Sequence, residues 1–173
     1  TISKASKQLL AFWEKEIPGF VSLIGAIFND LNNPDVNRAE QCWQWASSMG
    51  DTMSMVNLGV LYKNKYNDLF KAEELWEKAA SDNDVLAMFN LGAIYQFNYN
   101  DPLKAKEWYE KAASAGNAMA MNNLGIFYKI EEKDFFKANE WLKKAADGGS
   151  TEAMLNLALN FFEQKNQKVQ AME

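Results

Sequence analysis

The sequence predicts an all-α fold, an α-solenoid in which antiparallel helix pairs stack along the chain. One ten-residue pattern occurs three times with a period of 33 residues, at 71–80, 104–113 and 137–146. A second pattern keeps the same period, at 57–62, 90–95 and 123–128. Within both patterns the apolar residues follow the i, i+3/i+4, i+7 spacing of a buried helix face. A fixed period of this length is typical of stacked supersecondary units.

Composition limits the classes of function. The 173 residues carry a net charge of −5, with basic residues interleaved among acidic ones, so nucleic acid and anionic membranes are poor candidates for the main ligand. The chain has no histidine, which removes the commonest general base and metal ligand. Its single cysteine, Cys42, cannot form an intrachain disulfide, and we expect a buried small residue there and not a nucleophile.

No targeting or membrane-spanning segment is recognisable. The most apolar stretch, residues 21–28, is far shorter than a membrane span, and no signal peptide is visible. This favours a cytoplasmic location slightly. The sequence begins at Thr1, so we expect that a leader or an upstream segment is missing.

Residues 1–33 predict a degenerate N-terminal capping repeat. Leu9, Phe12 and Trp13 have helical spacing, and Pro18-Gly19 predicts the end of that helix. Terminal repeats are expected to be atypical, because one of their faces has no neighbour to cover it.

Four regular units of two helices each are predicted at 34–66, 67–99, 100–132 and 133–165. Each first helix carries Ala-x-x-x-aromatic-x-x-Ala, and each second helix carries Met-x-x-Leu-Gly-x-x-Tyr, which becomes Met154, Leu157, Ala158 and Phe161 in the last unit. Small residues let helix axes approach, and the aromatic side chain fills the space beside them. The residues therefore predicted as core are Trp43, Trp76, Trp108, Trp141, Met55, Met88, Met121 and Met154. Trp45 has no aromatic counterpart in the other units and is predicted to make a surface contact.

Turn residues separate the helices. Gly50, Gly116 and Gly149 are predicted to end first helices as C-cap glycines, with Asn83 in the equivalent place. Ala171 lies 33 residues after Ala138, so residues 166–173 predict the start of a truncated further helix, and we expect the natural chain to be longer.

These residues resemble a known family, the Sel1-like repeat, a subclass of the tetratricopeptide-type helical hairpins. The best-matching segment is Ala105 to Tyr128, and the residues that carry the resemblance are Trp108, Tyr109, Lys111, Ala112, Ala113, Gly116, Ala120, Leu124 and Gly125. The pattern covers residues 34–165 and, weakly, 1–33. The glycine that usually follows the tyrosine is absent from every unit, so the connecting loops depart from the family pattern.

The resemblance implies a right-handed superhelix whose inner face binds other proteins. Members of the family act as adaptors, and some are immunity proteins against secreted toxins. A cysteine-rich branch was once assigned β-lactamase activity, but this chain lacks its paired cysteines.

A second apolar stripe on the second helices is the predicted binding surface, and we call it the second-helix face. Its predicted partner-binding residues are Asn57, Asn90, Asn123, Asn156, Met53, Val56, Phe89, Phe97, Asn122, Ile126, Leu155 and Phe162. In tetratricopeptide-type folds this face lines the concave groove. Exposed apolar stripes of this extent usually mark interaction sites. The alternative is that tight curvature, or a helix from outside this sequence, covers the face.

The four asparagines recur once per unit, at Asn57, Asn90, Asn123 and Asn156. A column of amides can bond the backbone of an extended peptide. The alternative is that each amide bonds locally and fixes the packing of the helices.

The sequence thus predicts a non-catalytic protein-interaction module, an adaptor or scaffold that binds a peptide or another protein in its groove. An alternative is an immunity or inhibitor protein that blocks the active site of a toxin, since an acidic chain suits a basic target. We find no Ser-His-Asp set, phosphate loop, metal-ligand spacing or dinucleotide fingerprint, so neither an enzyme nor a cofactor is expected. The oligomeric state is not indicated.

Overall fold

The computed structural model describes residues 16–27, 29 and 35–170. In chain order the helices are α1 (16–27), α2 (Val36–Ser48), α3 (Thr52–Leu61), α4 (Leu69–Ser81), α5 (Val85–Phe97), α6 (Pro102–Ser114), α7 (Ala118–Ile130), α8 (Phe135–Asp147) and α9 (Thr151–Gln170). A π-helical turn, Tyr62–Tyr66, follows α3. The all-α class and the solenoid of helix pairs are confirmed. The chain divides into two compact units, 1–84 and 85–173, which are described separately below.

Each first helix begins at an aspartate. The carboxylates of Asp35, Asp68, Asp101 and Asp134 accept hydrogen bonds of 3.0–3.1 Å from the backbone N–H three residues later. This bond satisfies one of the N–H groups that a helix N-terminus leaves without a partner. The 33-residue period is therefore written first into the helix starts.

Left-handed backbone conformations end the first helices. Gly50, Gly116 and Gly149 have φ of 89–90°, and Asn83 has φ of 63°, so the predicted C-cap positions are confirmed. A second series follows the second helices at Asn67, Asn100 and Lys133, with φ of 52–54°. Asparagine tolerates this conformation well, whereas lysine does so less readily.

Replacing Lys133 by glycine should therefore raise the free energy of unfolding by about 1 kcal/mol, because glycine adopts positive φ without a Cβ clash. Chemical denaturation of the two proteins measures the difference. Lys143→Gly is the matched control, because it makes the same change inside α8 and should lower the free energy by about 1 kcal/mol. A Lys133→Gly variant that is less stable than the parent would contradict the prediction.

In the unit 1–84, indole rings pack onto helical glycines. A Cβ atom at Gly25 would lie 2.6 Å from Nε1 of Trp43, and one at Gly59 would lie 2.3 Å from Nε1 of Trp76. Each indole N–H also donates to a backbone carbonyl of the preceding second helix, Trp43 to Ser22 at 3.1 Å and Trp76 to Val56 at 3.2 Å. The predicted packing of small and aromatic residues thus forms between α1 and α2 and between α3 and α4.

The unit 85–173 repeats this packing with other side chains. Tyr109 of α6 covers Gly92 of α5, and Leu142 of α8 covers Gly125 of α7, where added Cβ atoms would lie 2.5 and 2.6 Å from the covering side chains. The seam, meaning the line of contact between a second helix and the following first helix, therefore keeps its geometry while its large residue changes.

Lysine side chains join the two recurring patterns within each helix pair. The ammonium group lies 5.0–5.2 Å from a tyrosine ring centroid in the pairs Lys71–Tyr62, Lys104–Tyr95 and Lys137–Tyr128. This cation–π distance explains why Lys-Ala and Leu-Gly-x-x-Tyr recur together in the sequence.

The predicted core needs one correction at α9. Met154 is 50% exposed and Phe161 is 56% exposed, although both were predicted to be buried. In the described part of the chain α9 ends the stack, so this side of it has no following first helix. Of the other predicted core residues, Trp43, Trp76 and Met55 are buried, whereas Met88, Met121, Trp108 and Trp141 are half-buried. Cys42 is also half-buried.

Two predictions concern the ends of the chain. Leu9, Phe12 and Trp13 lie outside the described residues, as do residues 171–173. α9 continues as one helix to Gln170, through the residues where the sequence predicts a further helix to start. The predicted boundaries of the repeats stay a prediction.

Candidate functional site

The second helices of the unit 85–173 lie side by side. α5 contacts α7, and α7 contacts α9. Nδ2 of Asn156 donates to Oδ1 of Asn122 over 2.9 Å, and Nζ of Lys129 pairs with Oε2 of Glu163 at 2.9 Å. These two bonds hold α9 against α7, so the second-helix face of this unit is one surface formed by three helices.

Large apolar side chains of this face are exposed to solvent. Phe97 on α5 is 72% exposed, and Leu155 and Phe162 on α9 are also exposed. Phe89 and Ile126 are half-buried between them. The side chains that the sequence predicted as apolar anchors are therefore available for contact in this unit.

Two residues predicted to contact a partner lie in the core instead. Asn122 is 2% exposed and Val56 is 5% exposed. Asn122 faces the next second helix, whose Asn156 binds it. Leu155 holds the same repeat position on α9 and is exposed, because α9 is the last helix of the described part. The position that carries Val56 and Asn122 therefore faces along the stack and not outwards.

The four column asparagines are half-buried, and two of them have local partners. Asn123 hydrogen-bonds the hydroxyl of Tyr109, which itself donates to Oε1 of Gln96 over 2.8 Å. Burial raises the pKa of Tyr109 to about 12, and the hydrogen bond from Asn123 acts in the opposite direction. Asn156 is bound to Asn122. The structure thus supports the local alternative for Asn123 and Asn156.

Small depressions accompany these amides. In the unit 85–173 a pocket of about 120 Å³ is lined by Gln96, Pro102, Tyr109, Asn123, Ile126 and Ile130. In the unit 1–84 a pocket of about 200 Å³ is lined by Asn29, Trp43, Asn57, Val60, Leu61 and Asn64. Both are smaller than typical small-molecule sites of about 300–1,000 Å³ and suit an inserted side chain. In the unit 1–84 the exposed side chain of Met53 also belongs to the second-helix face.

Neither metal nor membrane chemistry is visible in the described part of the chain. Within residues 16–27, 29 and 35–170, no group of three or more acidic or cysteine side chains could hold a metal ion. None of the helices described there combines the length and the apolarity that crossing a bilayer requires.

Sequence reasoning missed a second apolar series. Phe70, Leu103 and Phe136, each the second residue of a first helix, are among the most exposed apolar side chains of the described residues. Their 33-residue spacing was visible in the sequence. A search for periodic apolar residues outside the seams would have found them.

Stacked helix pairs joined by small-and-aromatic seams define a helical repeat protein of the solenoid class. A family model described as Sel1 repeat matches residues 52–84, 85–117 and 118–150. The chain belongs to the Sel1 repeat family. The model begins each repeat at a second helix, and its three matches keep the 33-residue period. Membership of this family indicates a protein-interaction module, and its members are generally non-catalytic scaffolds.

Solved structures share the fold. The crystal structure of c5321, described as a protective antigen of uropathogenic Escherichia coli with an SLR fold, matches with a TM-score of 0.77 at 22% identity, over 86% of this chain and 34% of that one. A Sel1 repeat protein from Oxalobacter formigenes matches with a TM-score of 0.74 at 23% identity, over 86% of this chain and 66% of that one. The chain thus spans about a third of the first protein and about two thirds of the second. No curated protein matches the sequence.

Proposed function

We propose that this protein is a non-catalytic interaction module whose second-helix face binds a segment of a partner protein. The observation that carries the proposal is the exposure of Phe97, Leu155 and Phe162 on the second helices of one unit. Contiguous exposed apolar side chains of this kind usually mark a binding surface. Family membership supports a protein as the ligand.

The chemistry of the face favours an apolar anchor on the partner. Lys129 and Glu163, which lie beside it, already pair with each other. Burying one large side chain contributes roughly 1.5–3 kcal/mol, from which the loss of translational and side-chain freedom is subtracted. A few inserted apolar side chains would therefore supply most of the affinity, and the amides would fix orientation.

The experiment begins with capture of the partner from the source organism and its identification by mass spectrometry. Phe97→Ser and Phe162→Ser should each weaken its binding at least tenfold in a calorimetric titration. Because both side chains are exposed, the melting temperature should stay nearly constant.

Phe70→Ser is the matched control, because it removes an equally exposed phenylalanine that lies on a first helix. Full affinity is expected for this variant. A partner that binds the Phe97→Ser and Phe162→Ser variants normally, or that Phe70→Ser releases equally, would overturn the proposed surface.

The same titration addresses the alternative, an inhibitor that occludes a toxin. The net charge of −5 favours it when the target is basic, because opposite charge speeds encounter. A single basic enzyme bound at nanomolar affinity or tighter, and inactivated on binding, would select this alternative. Weaker binding of several proteins would select the adaptor.

A further inference from the structure

The C-terminal end of the unit 85–173 carries an apolar surface distinct from the second-helix face. It consists of Phe136 on α8 and Met154, Leu157, Ala158 and Phe161 on α9, and we call it the end surface. Phe136, Leu157 and Phe161 line a cavity of about 770 Å³, and Glu140, Lys143 and Asp147 complete its wall. The cavity lies entirely on α8 and α9.

The equivalent surfaces of α5 and α7 show how the molecule normally covers such residues. Leu91 and Tyr95 on α5, and Leu124 and Tyr128 on α7, are buried, and the following first helices α6 and α8 pack against them. Only on α9 are the corresponding side chains of Met154 and Phe161 at least half exposed within the described residues. Something that resembles a packed helix would therefore fit the end surface.

Ala158 argues against a further first helix in the usual arrangement. At the equivalent glycines, Gly92 and Gly125, an added Cβ would lie only 2.5–2.6 Å from Tyr109 and Leu142 of the covering helix. Real Cβ atoms do not approach other heavy atoms so closely. Ala158 carries that Cβ, so a helix seated as α6 and α8 are seated would collide with it.

The stripe on α9 is instead compatible with a copy of itself. Ala158 is a small residue with Met154 one turn before it and Phe161 one turn after it. Two such helices that cross at Ala158 in antiparallel directions would approach closely there and place each Met154 beside the Phe161 of the other copy. The cavity wall carries both signs of charge, Glu140 and Asp147 against Lys143, so identical surfaces need not repel each other.

We propose that the end surface is the interface of a two-fold symmetric homodimer in which α9 packs against α9 of a second copy. The apolar side chains left exposed on α9 then become buried, and Ala158 lies at the two-fold axis. The second-helix face stays free on both copies. The proposal is independent of what that face binds.

The oligomeric state tests the proposal directly. Sedimentation velocity and light scattering over a dilution series should give twice the chain mass of 19.7 kDa at high concentration, falling to the monomer mass on dilution. Phe161→Glu should weaken the dimer at least 100-fold without changing the circular dichroism spectrum, because the side chain is exposed in the single chain. Phe97→Glu, on the second-helix face, is the matched control and should dimerise normally.

Cross-linking tests the axis itself. In a Cys42→Ala background, Ala158→Cys should oxidise readily to a disulfide-linked dimer, because the two thiols meet at the axis. Leu155→Cys, one turn away on the second-helix face, should not. A protein that is monomeric at every concentration, a dimer that survives Phe161→Glu, or equal cross-linking of both cysteine variants would overturn the proposal.

Discussion

Replacing Trp76 by alanine should lower the free energy of unfolding by about 3–5 kcal/mol, as is usual for removing a buried aromatic side chain. The indole is 1% exposed and lies against Gly59, and its N–H donates to the carbonyl of Val56 over 3.2 Å. Alanine would leave a cavity at the seam between α3 and α4 and would remove the partner of that carbonyl. Urea denaturation followed by circular dichroism measures the loss.

Trp45 provides the matched control. It is a tryptophan on a first helix of the same unit, α2, but its side chain is 45% exposed. Trp45→Ala should change the free energy of unfolding by less than about 1 kcal/mol, because little apolar area returns to water. Similar losses for the two variants would mean that the seam between α3 and α4 does not carry the stability assigned to it.

The features that the sequence predicted well are local. Gly50 and Asn83 adopt the left-handed conformations expected of C-cap residues, and an aspartate such as Asp134 caps the helix that follows it. Caps and turns depend on a few neighbouring residues, so a pattern of residue types is sufficient to place them. The pairing of a small residue with a large one across each seam is nearly as simple, because it repeats at constant spacing.

The errors come from treating equivalent positions as identical. Asn122 and Leu155 occupy the same place in the repeat, yet the former is buried and the latter is exposed. What differs is whether another second helix follows, and a period carries no information about that. The exposure of Met154 and Phe161 has the same cause. In a solenoid, burial at such positions depends on the place of the unit in the stack.

The predicted amide column shows a second limit. Asn123 binds Tyr109, but the residues equivalent to Tyr109 are Trp43, Trp76 and Leu142, none of which has a hydroxyl group. One substitution at the seam therefore supplies a local partner that the other units cannot offer in the same way. Periodicity made the four asparagines look alike, whereas their hydrogen bonds depend on residues that vary between units.

Replacing Gly59 by alanine should also destabilise the protein, by about 2 kcal/mol, although alanine is the better helix former. The new Cβ would lie 2.3 Å from Nε1 of Trp76, and the indole is held by its hydrogen bond to Val56, so the ring cannot move aside freely. Overpacking of this kind lowers stability by roughly 1–3 kcal/mol, occasionally more, while the gain in helix propensity is about 1 kcal/mol. Denaturation in urea gives the net value.

The double variant shows whether the clash is the cause. Once Trp76→Ala has removed the ring, Gly59→Ala meets no indole and retains only its gain in helix propensity, so it should now stabilise the protein by up to about 1 kcal/mol. Ala158→Gly provides an internal reference, because it makes the reverse change where no first helix covers the site in the described chain and should destabilise by about the same amount. If Gly59→Ala lowers stability equally with and without the ring of Trp76, contact across the seam does not select glycine at this position.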